Sequence, residues 1–278
     1  MQQVSVVLPL YTAALAPEEW ASIDQCCAVL GRYPLTVVAP HALDLAFITQ
    51  RYPQVLVERF DDAYFRSVAD YNRLMLSVEF YARFQRYEFV LIHQTDAYVF
   101  SDKLADWCEA GYDYVGAPWT PESSRYESRT GRALLALKCW YYRATGRFSN
   151  KLLLYQVGNG GLSLRRVALF LEICQDNRAG IDAYLAQRGT EFNEDVFYSY
   201  EMNRGRRRVR VPEYREAIGF AFETNPALAL VHNDNLLPFG CHAWNKAPFA
   251  AFWRGHIRFS SEPGSSPNQK QAHPSGAS

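Results

Sequence analysis

The chain has 278 residues, 29 basic and 29 acidic side chains, and a hydrophobic fraction of 49%. That length holds one large α/β domain with a full core, and the neutral balance argues against a dedicated nucleic-acid binder, whose footprint is strongly basic. No run reaches the ~18 apolar residues of a transmembrane helix. The six cysteines form no CxxC pair and have no zinc-ligand spacing, so they read as free thiols of a reducing compartment. The opening MQQVSVVLPLYT lacks the basic and long apolar parts of a secretory signal. The expected location is therefore the cytoplasm, with peripheral contact at the inner face of the membrane left open.

The first third alternates short β-branched runs with helical patterns. VSVVLPL (4–10) reads as a strand and PEEWASIDQCCAVLGRY (17–33) as a helix, with Pro17 tolerated in the first turn and Glu18 and Glu19 at the positive end of its dipole. LTVVAP (35–40) and QVLVERF (54–60) are further strands. Val68, Tyr71, Leu74, Met75, Val78 and Tyr81 recur at helical spacing, which predicts one long amphipathic helix over 65–87. EFVLIHQTDAYVF (88–100) then begins as a fourth strand and runs into Asp96. Such alternation predicts a parallel sheet with helices on its faces, whose ligands gather beyond the carboxyl ends of the strands. Burying a lone carboxylate costs several kcal/mol, so Asp96 belongs at that ligand-facing edge.

Residues 121–151 carry seven basic side chains against Glu122 and Glu127, with Tyr126, Trp140, Tyr141, Tyr142 and Phe148 interleaved. The pattern fits either a solvated segment packed by its aromatics or a lid or surface for an anionic or sugar acceptor. RGRRRVR (204–210) reads as a cationic helix end leading into a strand. The Ser-, Pro- and Gln-rich stretch 260–278 is expected to be disordered, outside a single domain spanning 1–259.

Three further stretches carry chemistry. In QVGNGGLSLRRVALFLEI (156–173) glycines bracket Asn159 before a run that reads as a helix, a loop able to bring backbone donors to a ligand. It has no lysine of a phosphate-binding loop. In EFNEDVFYSYEMNRG (191–205), Glu194 and Asp195 are either first-turn acids of a helix capped by Asn193 or the source of a general base. In PFGCHAW (238–244), His242 is a lone histidine, and Cys241 shows no partner pattern for a nucleophile.

Taken in order, QTDAYVF (94–100), DYVGAPW (113–119), GNGGLSLR (158–165), NEDVF (193–197) and FGCHAW (239–244) resemble the nucleotide-sugar glycosyltransferases of the GT-A type. More specifically, the chain is similar to an uncharacterised bacterial and eukaryotic domain family of glycosyltransferase type, over roughly residues 4–250. The resemblance implies a single-domain, GT-A-like (Rossmann-like) α/β fold with a mostly parallel sheet flanked by helices. It implies transfer of a sugar from a UDP- or GDP-linked donor to a hydroxyl of a saccharide or glycoconjugate, as in polysaccharide biosynthesis. Asp96 stands for the last acid of the acidic motif that holds Mg²⁺ or Mn²⁺ on the donor diphosphate, Gln94 replaces the first acid, and His242 is a late ligand. The degraded motif leaves open a metal-independent enzyme in which basic side chains offset the diphosphate. Asp195 corresponds to the base of an inverting transfer and Glu194 to an acceptor contact, or the reverse. Asn159, Gly160 and Gly161 touch the donor sugar or the acceptor, Pro9, Leu10 and Tyr11 receive the nucleoside, and Asn72 and Arg73 are further donor contacts. Two rivals are a nucleotidyltransferase, which would show a Gly- and Lys-rich loop where LPLYTAALAP stands, and a non-catalytic carbohydrate-binding or scaffold protein. The transferase reading requires Asp96, Asn159, Asp195 and His242 to share one cleft.

Overall fold

The computed structural model describes residues 2–122, 124–187 and 192–259; the predicted tail 260–278 lies outside the described residues. Its main sheet contains β1 (Gln2–Pro9), β2 (Leu35–Pro40), β3 (Leu56–Phe60), β4 (Tyr87–His93), β6 (Tyr114–Gly116) and β7 (Leu162–Arg166), in the order β3-β2-β1-β4-β7-β6. A small second sheet pairs β5 (Tyr98–Val99) with β9 (Gly240–Cys241), and β9 with β8 (Ala221–Phe222). The first four strands of the main sheet run parallel, while β7 is antiparallel to both β4 and β6. The sheet is therefore mostly parallel, as expected, with helices over both faces.

Burial explains the pairing. Helices cover both faces of β1 and β4, so both strands read as continuous apolar runs rather than as alternating ones. Val4, Val6 and Leu8 join Phe89 and Leu91 in one core cluster, and Val7 joins Val90 and Ile92 in the other. The register matches this division, with Val6 opposite Leu91 and Val7 opposite Ile92. After β1 the chain crosses to β2 on one side, whereas β4 lies on the other. That change of side opens a crevice at the carboxyl ends of β1 and β4.

Three sequence expectations are corrected. The long helix over 65–87 is two, Val68–Met75 and Val78–Arg83. Ser77 causes the break: its hydroxyl donates to the Leu74 carbonyl at 2.7 Å and accepts the Phe80 N–H at 3.0 Å, ending one helix and capping the next. The run after the glycine loop starts as strand β7 before the helix Val167–Asp176. Leu162 and Leu164 enter one core cluster, while Ser163 and Arg165 alternate to the other face. The basic run 204–210 is followed by no strand, because Asp113 holds it at Arg210. Asp113 accepts the Arg210 backbone N–H at 2.9 Å and its guanidinium at 3.1 Å. No helix among the described residues is long and apolar enough to cross a membrane.

Candidate active site

A cleft of about 1340 Å³ opens at the carboxyl ends of β1 and β4. One wall is built on the turn that follows β4. The Gln94 N–H donates to the Gly161 carbonyl at 2.8 Å, and the Ala97 N–H closes the turn on the Gln94 carbonyl at 2.9 Å. This turn presents Asp96. The pairing of β5 with β9 brings His242 opposite it, so that His242 Nε2 lies 2.9 Å from Asp96 Oδ1. Lys246 Nζ lies 2.9 Å from Asp96 Oδ2, and Glu223 Oε1 lies 3.3 Å from His242 Nδ1. Burial works against both charges. Even so, the His242 imidazolium and the Lys246 ammonium hold the Asp96 carboxyl far below the usual carboxylate range. Glu223 and Asp96 together raise His242 to about 10 against its own desolvation. This wall therefore alternates two carboxylates, Glu223 and Asp96, with two cations, His242 and Lys246. Behind it His93 is fully buried with neither ring nitrogen hydrogen-bonded, and burial lowers its pKa to about 4.

The other wall is built on the helix Glu194–Ser199. Asp195 Oδ2 accepts the Asn159 N–H at 2.8 Å, and Oδ1 accepts the Val196 N–H at 2.8 Å. Burial, and then the neighbouring Glu194 carboxylate, push Asp195 up to about 7, outweighing those two N–H donors. Glu194 Oε1 is 2.6 Å from Arg165 Nη2, a guanidinium with no solvent exposure. Arg165 also donates to Ser163 Oγ at 3.0 Å and to the Tyr81 hydroxyl at 3.3 Å. The arrangement follows the rule that a buried charge needs a partner and further hydrogen bonds.

The loop 158–161 joins the two walls. Asn159 sits in the left-handed region at φ 71°, with its carbonyl held by the Tyr114 hydroxyl at 3.0 Å and its buried Nδ2 unpartnered. A Cβ on Gly160 would strike the Glu194 carboxylate, and one on Gly161 would strike the His242 imidazole. The two glycines thus serve close approach on both sides. Roughly 7 Å of chain separates Asn159, which touches Asp195, from Gly161, which adjoins His242.

Pro9, Tyr11, Asn72, Gln94, Asp96, Asn159, Gly160, Gly161, Glu194, Asp195 and His242 all line this cleft. Two expected donor contacts lie elsewhere. Leu10 is buried in the core, its N–H bonded to the Val38 carbonyl at 2.8 Å, because the chain is still following β2 there. Arg73 points to solvent, paired with Asp70 at 3.5 Å one helical turn away. Asn72 donates to Asn193 Oδ1 at 3.0 Å and so steadies the loop that enters the Glu194 helix. Lys246, Glu223 and Arg165 received no role from the sequence. No local signal marks any of the three: Arg165 reads as a surface residue until β7 is seen inside the sheet.

Asp96, His242 and Gln94 bring three donor atoms together at the first wall, where His242 carries a proton and Lys246 occupies the second Asp96 oxygen. His242 Nε2 lies 2.9 Å from Asp96 Oδ1 and 3.3 Å from Gln94 Oε1. Neighbouring ligands on an octahedral ion with ~2.1 Å bonds stand about 3 Å apart. Binding such an ion requires the proton on His242 to leave. Among the described residues, no three His, Cys, Asp or Glu side chains form a metal-binding group; the Gln94 amide is a further donor beside Asp96 and His242.

Residues 54–242, more than half of the chain, match the family described as "Protein of unknown function (DUF5672)", and the chain belongs to that family. No curated protein matches it by sequence. Its fold is that of GT-A-type glycosyltransferases. The galactosyltransferase LgtC, solved with donor and acceptor sugar analogues, is 13% identical with a TM-score of 0.54, covering 91% of this chain and 100% of that one. Mouse xyloside xylosyltransferase 1, in its apo form, is 11% identical with a TM-score of 0.50, covering 89% and 99%. GlyE of Streptococcus pneumoniae TIGR4 is 12% identical with a TM-score of 0.50; the match covers 91% of this chain but only 60% of the GlyE chain.

Proposed function

We propose that this protein transfers a sugar from a UDP- or GDP-linked donor to a hydroxyl group of a saccharide or glycoconjugate. The observation that carries the reading is the meeting, in one cleft, of Asp96, with His242 Nε2 and Lys246 Nζ each 2.9 Å away, and Asp195, buried on backbone N–H groups beside Glu194. Group transfer from a nucleotide sugar needs positive charge where the diphosphate leaves and a base near pH 7 where the acceptor hydroxyl attacks. The GT-A fold of the molecule supports the same reading.

In this mechanism His242 and Lys246 face the diphosphate and offset the charge it develops. Asp96 orients both cations, and Glu223 supports His242 from behind. The exposed ring of Tyr11, at the end of β1, receives the nucleoside base. Asn159 and the small faces of Gly160 and Gly161 seat the sugar between the walls. Asp195, ionised, takes the proton of the acceptor hydroxyl, while Arg165 pairs with Glu194, whose carboxylate still raises Asp195 towards neutral pH. Asp96, Gln94 and a deprotonated His242 would hold a Mg²⁺ or Mn²⁺ ion, which when bound supplies the positive charge in place of the imidazolium. A single displacement of this kind inverts the anomeric centre.

The test is a panel of UDP- and GDP-sugars with a mass-spectrometric readout of hydrolysis and transfer, preceded by thermal shifts with UDP and GDP. Stabilisation by a nucleoside diphosphate and turnover of at least one donor are expected. Nucleotide binding without turnover of any donor would assign the cleft to a non-catalytic carbohydrate-binding role. Product anomers read by NMR check the single displacement, and a retained anomer would remove Asp195 as the base.

A further inference from the structure

We propose that the helix Arg129–Thr145 seats the protein on an anionic phospholipid surface. The helix is well formed: Ser128 caps its start by accepting the Gly131 N–H at 3.0 Å, and Gly146 closes it in the left-handed region. Only Gly131 and Leu135 are buried, so one narrow face rests on the body of the protein. Leu134, Leu137 and Tyr141, spaced i, i+3, i+7, form a stripe on another face, with Trp140 at its edge. Leu134, Leu137 and Trp140 each keep more than half of their surface in water, and Tyr141 keeps 47%. Large apolar side chains stacked along a helix with no protein over them mark an interaction surface rather than scattered exposure.

Charge selects the occupant. From Ser128 to Lys151 the chain carries Arg129, Arg132, Lys138, Arg143, Arg147 and Lys151 and no acidic residue, although the protein as a whole is neutral. Among the described residues only Arg132 of these six has an ion-pair partner, Glu127 at 3.4 Å. The end of the helix opens on a groove of about 550 Å³, also lined by Arg143, Arg147, Arg204 and Arg207. Protein–protein interfaces are depleted of lysine, whereas Lys138 stands within this helix and Lys151 follows it. An apolar stripe bearing Trp and Tyr and bracketed by Lys and Arg matches a helix lying in the headgroup plane of an anionic bilayer. Tyr126 and Lys151, which flank the helix in sequence, line the cleft. On the transferase reading above, this seat brings the cleft next to acceptors carried by lipid.

The test needs neither donor nor turnover, so it stands or falls apart from that reading. The full chain is co-sedimented with vesicles of phosphatidylcholine alone and of phosphatidylcholine mixed with phosphatidylglycerol, at low and high salt. Binding is expected only with phosphatidylglycerol, weakening as salt rises. Partitioning is expected to fall at least about tenfold in Leu137→Glu/Trp140→Glu and in Lys138→Glu/Arg143→Glu. All these side chains are exposed, so unchanged circular dichroism and melting confirm that the variants fold. Absence of binding, equal binding to both vesicle types, or binding that both double variants retain would overturn the proposal. So would a dimer in light scattering that Leu137→Glu/Trp140→Glu splits, since the stripe would then belong to a second copy of the chain.

Discussion

The two walls of the cleft both carry a carboxylate, and their surroundings drive the two in opposite directions. Asp96 is enclosed by His242 and Lys246 and is held ionised, far below its ordinary range. Among the described residues Asp195 has backbone N–H groups but no ion-pair partner, lies beside Glu194, and is raised to about 7. The Arg165 guanidinium goes to Glu194. Two acids set apart by their environments can take two roles, a fixed charge and a proton acceptor, without any difference in their chemistry. The polar groups behind each wall, rather than the carboxylates alone, therefore decide the assignment.

The comparison can be broken at several points. The largest effect is expected from Asp195→Asn, which keeps the shape and removes the base. Turnover should fall about 10²–10⁴-fold with donor affinity nearly unchanged, as read by steady-state kinetics and calorimetry; unchanged turnover would dissolve the contrast. Arg165→Met should cost about 3–5 kcal/mol in denaturant unfolding, because Glu194 is left buried and uncompensated. In Arg165→Met/Glu194→Met most of that loss should be recovered. Lys246→Met leaves the Asp195 wall untouched and should weaken UDP or GDP binding roughly tenfold, the value of one charge-assisted contact. The smallest effect is the pH dependence of stability. The folded-state pKa of Asp195 is raised, so its contribution is fully present below the ordinary Asp value of 3.8 and is lost as pH rises through about 7. The melting temperature of the wild type relative to Asp195→Asn should therefore decline between about pH 4 and 7. A flat difference would place the Asp195 pKa at its ordinary value.

Much of the fold was legible because fully buried parallel strands leave an unmistakable trace. The apolar runs of β1, β2 and β4 admit few other readings, and the alternation with helices orders them. β7 was not legible: its Ser163 and Arg165 look like surface residues until the strand is seen between β4 and β6, with Arg165 inside the protein. The break at Ser77 hid for a related reason, since apolar spacing continues across it while a side-chain hydroxyl redirects the backbone. In the cleft, the five motifs contained both carboxylate walls, the glycine loop and His242, but a minority of the lining residues. Leu10 and Arg73 were placed by proximity in sequence to others that do line it, and one turns into the core and the other into water.

The sequence by itself determined that Asp96 stands at the end of a buried strand, that a glycine loop and an acid pair follow, and that a histidine comes late. Local pattern carries such information because strand and helix periods are short. The tertiary structure alone decided that the late histidine and Lys246 close on Asp96 while Arg165 closes on Glu194. Those contacts join residues 29 to 150 positions apart. Nothing in the local sequence fixes such a separation; it is set by how β7 enters the sheet and how β9 pairs with β5.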